Sequence, residues 1–311
     1  LTPIVFLINF SNELICIKNY KLTFAYIRKE RELANKILEK KTLRSDLFFF
    51  VVEANEIGKK AKAGQFVIVR PDENGERIPL SLADINPENG TISLLVQTIG
   101  LTSTKLAELN VGDYISDIAG PMGHKTPMEN YGRVILVGGG FGAAPLYPIA
   151  KAMKAAGNYV SAVIGARSAD LLVYENELSE VCDQVLVSTD DGSKGLKGLV
   201  TEVLKNEIET NGANLVMAVG PAIMMKFTAL TTKPYNVKTF VSLNPIMVDG
   251  TGMCGACRVS VGGETKFGCT DGPDFDGHLV DWDLLMSRQR TYLAEEKEAM
   301  ERHECNCVPH S

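Results

Sequence analysis

Between Leu47 and Ala119 the apolar residues come in short runs, LFFFVVEA, QFVIVR, IPLSLAD, TISLLVQT and DYISDIAG, separated by the turn-formers Gly64, DENG, NPENG and VGD. Runs this brief and this closely spaced predict a small antiparallel barrel or sandwich. STKLAELN, residues 103–110, is the one helix-like insertion. After GPMGHKTPMENYG the rhythm changes. RVILV, YVSAVIG, QVLVSTD, NLVMAVG and VKTFVSL are β-branched-rich and do not alternate with polar residues, as expected of strands covered on both faces. Helical stretches lie between them at APLYPIAKAMKAAG, DLLVYENELSEV, LKGLVTEVLKNEIE and AIMMKFTAL, so the pattern predicts a five-stranded parallel sheet wrapped by helices. A glycine- and cysteine-rich loop module follows at 245–281, and DLLMSRQRTYLAEEKEAMER reads as one closing helix. The expected fold class is α+β followed by α/β: an antiparallel barrel over 36–125, a nucleotide-type parallel sheet over 126–244, and a cysteine module with its helix over 245–311.

Composition narrows the function without naming it. A chain of 311 residues with 45% hydrophobic and 23% charged residues can build more than one core. A net charge of −6 with no Lys/Arg block argues against nucleic acid as a partner. The run Leu1–Phe10 is too short to span a bilayer and has no basic stretch before it, so no membrane anchor is expected. Residues 1–35 are an unassigned extension of shifted composition, without an initiator Met. Seven cysteines, an odd count gathered mostly near the C-terminus, suit cytoplasmic metal or redox chemistry better than a disulfide framework.

Three constellations carry chemistry. In VILVGGGFGAAPLYPIA an apolar strand ends in Gly138, Gly139 and Gly140, and Gly142 opens a helix with Pro145 in its first turn. Glycines let a backbone turn sharply and approach a diphosphate, the helix N-terminus presents free N–H groups, and Pro145 lacks only an N–H that would have no partner there. Gly220 and Pro221 repeat the strand-end geometry where a nicotinamide could lie, or form an ordinary loop, and Arg167 after the second strand can receive a 2′-phosphate or be a plain surface charge. In the first half, Arg77 can pair with a diphosphate, Ser81 can hydrogen-bond a ring nitrogen, and Gly100 with Thr102 and Ser103 can form a second phosphate-facing turn. Arg77 taken alone is equally an ordinary strand-end charge.

The third constellation is IMVDGTGMCGACRVSVGGETKFGC. Cys254 and Cys257 have C-x2-C spacing in a glycine-rich loop, and RVSVGGETKFG reads as a hairpin in which pairing Val261 with Glu264 sets Cys257 opposite Gly268, delivering Cys269 beside it. Three thiols leave a fourth ligand to be found. Plant-type two-iron clusters space their ligands C-x4-C-x2-C, and counting back from Cys254 lands on Asp249. Asp249 as a turn residue of VDGTG and His278 as a rival ligand remain open, as do a structural zinc site and buried free thiols.

With these residues assembled, the chain resembles the electron-transfer subunits of the ferredoxin reductase-like superfamily, which join a flavin barrel, a nicotinamide nucleotide domain and a C-terminal two-iron cluster. The dihydroorotate dehydrogenase electron-transfer subunit has this layout with four cysteines. Asp249 in place of the first thiolate, the GTGMCGACRV loop and the DGPDFDGHLVD tail are more similar to the small subunits of electron-bifurcating NADH-dependent ferredoxin:NADP oxidoreductases. The resemblance spans about residues 36–300 and implies FAD, a [2Fe-2S] cluster and NAD(P) as cofactors, with a larger flavin and iron–sulfur subunit as partner in a heterodimer. It implies that Arg77, Pro79, Leu80 and Ser81 form the flavin motif, with Gly100, Thr102 and Ser103 near the FAD phosphates, and that Gly138–Gly140, Gly142 and Pro145 cradle the nicotinamide nucleotide. It also implies Asp249, Cys254, Cys257 and Cys269 as cluster ligands. Phe141 departs from the family's small aliphatic residue, a change that is tolerated if its ring faces the sheet. Hydride transfer between nicotinamide and flavin needs no protein acid or base, so no catalytic side chain is expected. The other readings are a dihydroorotate dehydrogenase electron-transfer subunit and a non-catalytic, zinc-stabilised nucleotide-binding protein.

Overall fold

The computed structural model of the chain describes residues 35–307. Most of the amino-terminal extension, with Cys16, and the side chains of Cys305 and Cys307 lie outside the described residues. The first sheet contains β1 (Ile37–Arg44), β2 (Leu47–Glu53), β3 (Phe66–Arg70), β4 (Ile78–Asn86), β5 (Thr91–Gln97) and β6 (Asp117–Met122), all antiparallel, in the order β1-β2-β5-β4-β3-β6. The segment before β6 closes the sheet on itself, because Ile37 N–H donates to the Asp113 carbonyl at 2.9 Å and Gly112 N–H donates to the Ile37 carbonyl at 2.9 Å. Closure removes the unpaired edge that β1 would otherwise present. Ile37, Phe50, Val52, Val67 and Leu94 fill the interior.

Two elements here were not legible in the hydrophobic pattern. β1 reads ILEKKTLR, and Ile37 is its one buried residue, so its alternation is nearly silent. The barrel also carries two helices instead of one, α1 (Asn55–Lys60) and α2 (Leu101–Glu108). In α1 Ile57 is the only large buried side chain, while Glu56 in the first turn and Lys59 and Lys60 in the last complement the helix dipole.

The second sheet is built from β7 (Arg133–Gly139), β8 (Tyr159–Ala166), β9 (Gln184–Thr189), β11 (Leu215–Val219) and β12 (Lys238–Ser242), five parallel strands as the pattern predicts, with the two-residue β10 (Leu196–Lys197) added beside β9. α3 (Ala143–Ala155) and α4 (Glu175–Val181) cover one face, where Leu146, Ile149 and Leu178 meet Leu136 and Val160. α5 (Val200–Asn211) and α6 (Ala222–Thr232) cover the other, where Val203, Leu204 and Met225 meet Ile135 and Val137. Consecutive residues of β7 therefore feed opposite cores, which is why the run carries no alternation.

The cysteine module forms the hairpin β13 (Arg258–Val261) and β14 (Glu264–Phe267), and then β15 (Asp274–Asp276) joins β12 antiparallel, so the sheet has seven strands rather than five. The expected single closing helix is two, α7 (Trp282–Gln289) and α8 (Leu293–Cys307). Asp281 caps α7 by accepting from Leu284 N–H at 3.0 Å. Among the described residues no helix is long and apolar enough to cross a membrane.

Candidate nucleotide cleft and metal centre

A cleft of roughly 470 Å³ opens at the carboxyl ends of β7, β8, β9 and β11, where open α/β sheets receive ligands. Its sheet side is made by Gly139, Gly140, Phe141, Arg167, Ser188, Asp190, Pro221 and Met224. The glycines of the turn divide by role. A β-carbon at Gly142 would lie 2.4 Å from the Val219 carbonyl oxygen, one at Gly138 2.9 Å from Leu146 Cδ1, and one at Gly139 2.5 Å from Met224 Sδ, so these three are small because packing demands it. Gly140, at φ +55, has nothing within 4 Å on that side and leaves the backbone open to the cleft. Gly220, at φ +157, packs against the Gly139 backbone. α3 begins with no side-chain cap and continues from the single turn Gly140–Gly142; Ala143 N–H is already donated to the Gly140 and Phe141 carbonyls, and Pro145, its third residue, has no N–H to satisfy.

Phe141 does not face the sheet. It is 43% exposed and stands in the cleft, between the sheet and the barrel. Sequence reasoning also missed the opposite wall, which the barrel supplies through Arg44, Asp46, Leu47 and Gln97. Arg44 grips both oxygens of Asp46, with Nη2 donating to Oδ2 at 3.0 Å, and Gln97 Nε2 donates to the same oxygen at 2.9 Å. The Arg44 hydrogen bond, with help from Gln97, holds the Asp46 carboxyl well below the usual carboxylate range. In the sequence, RSDL is an ordinary turn between β1 and β2 and carries no ligand-binding motif.

The flavin-motif residues lie on β4 and before α2. Arg77 pairs with Asp117, Nη2 to Oδ2 at 3.2 Å. Pro79, Leu80 and Ser81 stand opposite Ile68, Val67 and Phe66, with Ser81 exposed. Gly100 precedes α2 with open space beside it, and Thr102 is buried. The Ser103 hydroxyl is taken up by the turn: it accepts from the N–H groups of Ile99 at 3.0 Å and Gly100 at 3.1 Å and donates to the Gly100 carbonyl at 2.9 Å. Backbone N–H groups, more than that hydroxyl, are what this turn offers a phosphate.

In the cysteine loop, Gly250, Gly252 and Gly255 take positive φ (80, 83 and 69), which wraps the chain around its own centre. The hairpin register is Val261 with Glu264, Gly268 N–H donates to the Cys257 carbonyl at 3.0 Å, and the Cys257 and Cys269 sulfurs lie 3.1 Å apart. Both thiols are 2% exposed, packed with Phe66, Ile68 and Met247. Cys254 is exposed. Burial, and after it the neighbouring Cys257, pushes the Cys269 thiol up to about 12. Asp249 turns into the loop: Oδ1 accepts from Thr251 N–H at 2.6 Å and from Thr251 Oγ1 at 3.1 Å, and Oδ2 accepts from Cys254 N–H at 3.1 Å. These bonds, Thr251 N–H foremost, lower its pKa.

This donor set fits a thiophilic centre. The two buried sulfurs are in contact but far beyond the ~2.05 Å of a disulfide, and a cation is what would make two thiolates tolerable in an apolar pocket. Among the described residues no three Cys, His, Asp or Glu side chains converge on one point as a mononuclear zinc site requires. A two-iron cluster asks for less convergence, because its ligands divide between two metals. His278 is not among these donors. Its Nε2 lies 2.9 Å from Thr232 Oγ1, which in turn accepts from Thr239 Oγ1 at 2.6 Å, so it fastens the loop after β15 to α6 and β12.

A closed antiparallel barrel followed by this sheet and a thiol loop defines the molecule as an oxidoreductase of the ferredoxin reductase-like class. Comparison with known proteins agrees: residues 136–229 match the oxidoreductase NAD-binding domain, and residues 244–281 match the iron–sulfur cluster binding domain of dihydroorotate dehydrogenase B. The chain is 49% identical over 268 residues to a dihydroorotate dehydrogenase B (NAD(+)) electron transfer subunit homolog of Thermotoga maritima, covering 86% of this chain and 95% of that one. It is 32% identical over 249 residues to the corresponding electron transfer subunit of Shouchella clausii, covering 77% and 94%. A solved structure of an NADH-dependent reduced ferredoxin–NADP oxidoreductase, described for flavin-based electron bifurcation, is 48% identical and superposes with a TM-score of 0.83 over 87% of this chain and 98% of that one. The chain belongs to the family of dihydroorotate dehydrogenase B electron transfer subunits and their homologs.

Proposed function

We propose that this protein is the electron-transfer subunit of a two-subunit, cytoplasmic oxidoreductase, moving electrons between NAD(P)H, FAD and a [2Fe-2S] cluster and on to a larger flavin and iron–sulfur subunit, as in the NADH-dependent ferredoxin–NADP oxidoreductase. The observation that carries it is the seating of the thiol loop on the barrel: Cys257 and Cys269 pack with Phe66 and Ile68 of β3, and a β-carbon at Gly250 would lie 2.8 Å from Ile68. A metal centre held there adjoins the wall that carries the flavin motif. When bound, FAD accepts a hydride and releases electrons singly, and the cluster carries them one at a time.

The chain's own residues bind and orient. Gly138, Gly139, Gly140, Gly142 and Pro145 shape the turn that takes the nucleotide's diphosphate, while Arg167, Gly220 and Pro221 stand at its two ends. Arg77, Pro79, Leu80 and Ser81, with Gly100, Thr102 and Ser103, form the flavin's seat, where the backbone of α2 faces the phosphates. Asp249, Cys254, Cys257 and Cys269 hold the cluster, Asp249 also ordering the loop through Thr251 and Cys254. This reading divides the chain into a flavin barrel over 36–125, a nucleotide domain over 126–244 and a cluster module over 245–311. Asp249 at the first ligand position, where the dihydroorotate dehydrogenase subunit layout has a fourth cysteine, favours this assignment over dihydroorotate oxidation.

Anaerobic purification followed by metal and flavin analysis tests it. About two iron atoms and one FAD per chain, with flavin bands and a broad two-iron absorption, are expected. A colourless protein containing zinc would overturn the reading.

A further inference from the structure

We propose that Phe141 is the surface on which the nicotinamide ring of the bound dinucleotide rests, with Pro221 and Met224 completing an apolar subsite. The inference rests on the nucleotide-cleft reading above and names a positioning residue within it. Phe141 sits in the single turn Gly140–Gly142 that joins β7 to α3. Gly142 is backed against the Val219 carbonyl, so the turn cannot roll to bury the ring, and the ring stays 43% exposed in the cleft. It belongs to neither core cluster flanking the sheet. A large aromatic side chain held at a ligand cleft without a core to fill is placed for contact with a ligand.

Strand order gives the cleft a polarity. β7 lies between β8 and β11, and β9 lies beyond β8. The β8–β9 end presents Arg167, Ser188 and Asp190, the charged and hydroxyl side chains of the sheet side, together with the apolar Leu171, Leu199 and Val200, whereas the β11 end presents only Pro221 and Met224, whose thioether lies over Gly139. A dinucleotide with its diphosphate at the open face of Gly140 has one half for each end. The adenosine half, rich in hydroxyls, suits the polar end. The nicotinamide, a flat ring that is uncharged when reduced, suits Phe141, Pro221 and Met224, where a ring face and a thioether give the contacts that aromatic rings favour.

The test compares whichever of NAD+ or NADP+ the wild-type holoprotein binds with its nicotinamide-free fragment, ADP-ribose or 2′-phospho-ADP-ribose, followed by the flavin absorbance. In Phe141→Leu the dinucleotide is expected to bind about three- to tenfold more weakly, the loss of a ring–ring contact, while the fragment binds within about twofold of wild type. In anaerobic stopped-flow reduction the saturation constant for the reduced nucleotide rises by the same factor. Phe141→Tyr restores both values, and the melting temperature is unchanged in either variant because the ring is exposed. If dinucleotide and fragment weaken together, or neither weakens, the proposal for Phe141 is wrong while the cleft stands. If the wild type binds neither molecule, the cleft reading itself fails and the proposal with it.

Discussion

A methyl group on Gly142 would lie 2.4 Å from the Val219 carbonyl oxygen, whereas one on Gly140 would meet nothing, and the two glycines of one turn therefore make separable predictions. Gly142→Ala forces β7 and β11 apart and should cost about 1–3 kcal/mol, seen as a lower melting temperature. Gly140→Ala keeps the packing but places a side chain at φ +55, costing about 1–2 kcal/mol, and projects a methyl group into the space a diphosphate would take. Nucleotide titration should show the larger loss in Gly140→Ala, and thermal unfolding no smaller a loss in Gly142→Ala. At the proposed metal centre, Asp249→Cys replaces a hard oxygen with a soft sulfur. Iron content should stay at the wild-type level while the electron paramagnetic resonance spectrum of the reduced cluster and its reduction potential change. An unchanged spectrum would mean that Asp249 only shapes the loop, through Thr251 and Cys254.

At the scale of elements, β15 ties the cysteine module to the nucleotide sheet, and it brings one carboxyl group wholly inside. Asp274 Oδ2 accepts from Thr126 Oγ1 at 2.5 Å, and Oδ1 is buried with no partner. Burial pushes its pKa up to about 6, against an ordinary value of 3.8. Between those values the folded chain holds a proton that the unfolded chain has released. The resulting contribution favours the fold below about pH 4 and is lost as pH rises through about 6, a change on the order of 3 kcal/mol. Asp274→Asn, which needs no proton to be neutral, should therefore gain stability relative to wild type as pH rises from about 4 to about 8. Denaturant unfolding at the two ends of that range measures it, and a constant difference between variant and wild type would show that Asp274 does not titrate there.

The hairpin of this module was legible to the residue, because a two-glycine turn fixes the register of both strands and one slip would turn every side chain to the other face. The glycine turn after β7 was legible for a similar reason, as a steric requirement written into adjacent positions. β1 was not, since ILEKKTLR buries little and its place is decided by pairing with β2 and with the segment before β6. The split between α7 and α8 also escaped, because SRQRTY contains no proline or glycine to mark it.

At the scale of the whole molecule, the cleft exists because two sheets approach one another. Arg44, Asp46 and Gln97 come from the barrel, and Arg167 and Asp190 from strand ends of the other sheet. The cysteine loop is the complementary case, a surface that points away. Met253 is 89% exposed beside Cys254, and Val248 is half exposed next to Asp249. An unburied thioether at an electron outlet suits contact with the proposed larger subunit. Met253→Glu should leave flavin reduction by the nucleotide unchanged and slow electron delivery to the partner subunit by about fivefold or more, as loss of a well-buried interface side chain does. Equal rates in the assembled complex would place the contact elsewhere.

The sequence by itself determined what depends on neighbours along the chain: five non-alternating strand runs, a glycine turn opening a helix, and a hairpin that carries Cys269 to Cys257. These are local requirements of backbone geometry and periodicity, met within a few residues. Only the tertiary structure decided that Phe141 faces the cleft, that His278 pairs with Thr232, that Arg44 and Asp46 complete the cleft wall, and that Asp274 is sealed from water. Each of those outcomes follows from surfaces far apart in sequence being pressed together. Burial and electrostatic environment belong to the packed assembly, and no short stretch of chain encodes them.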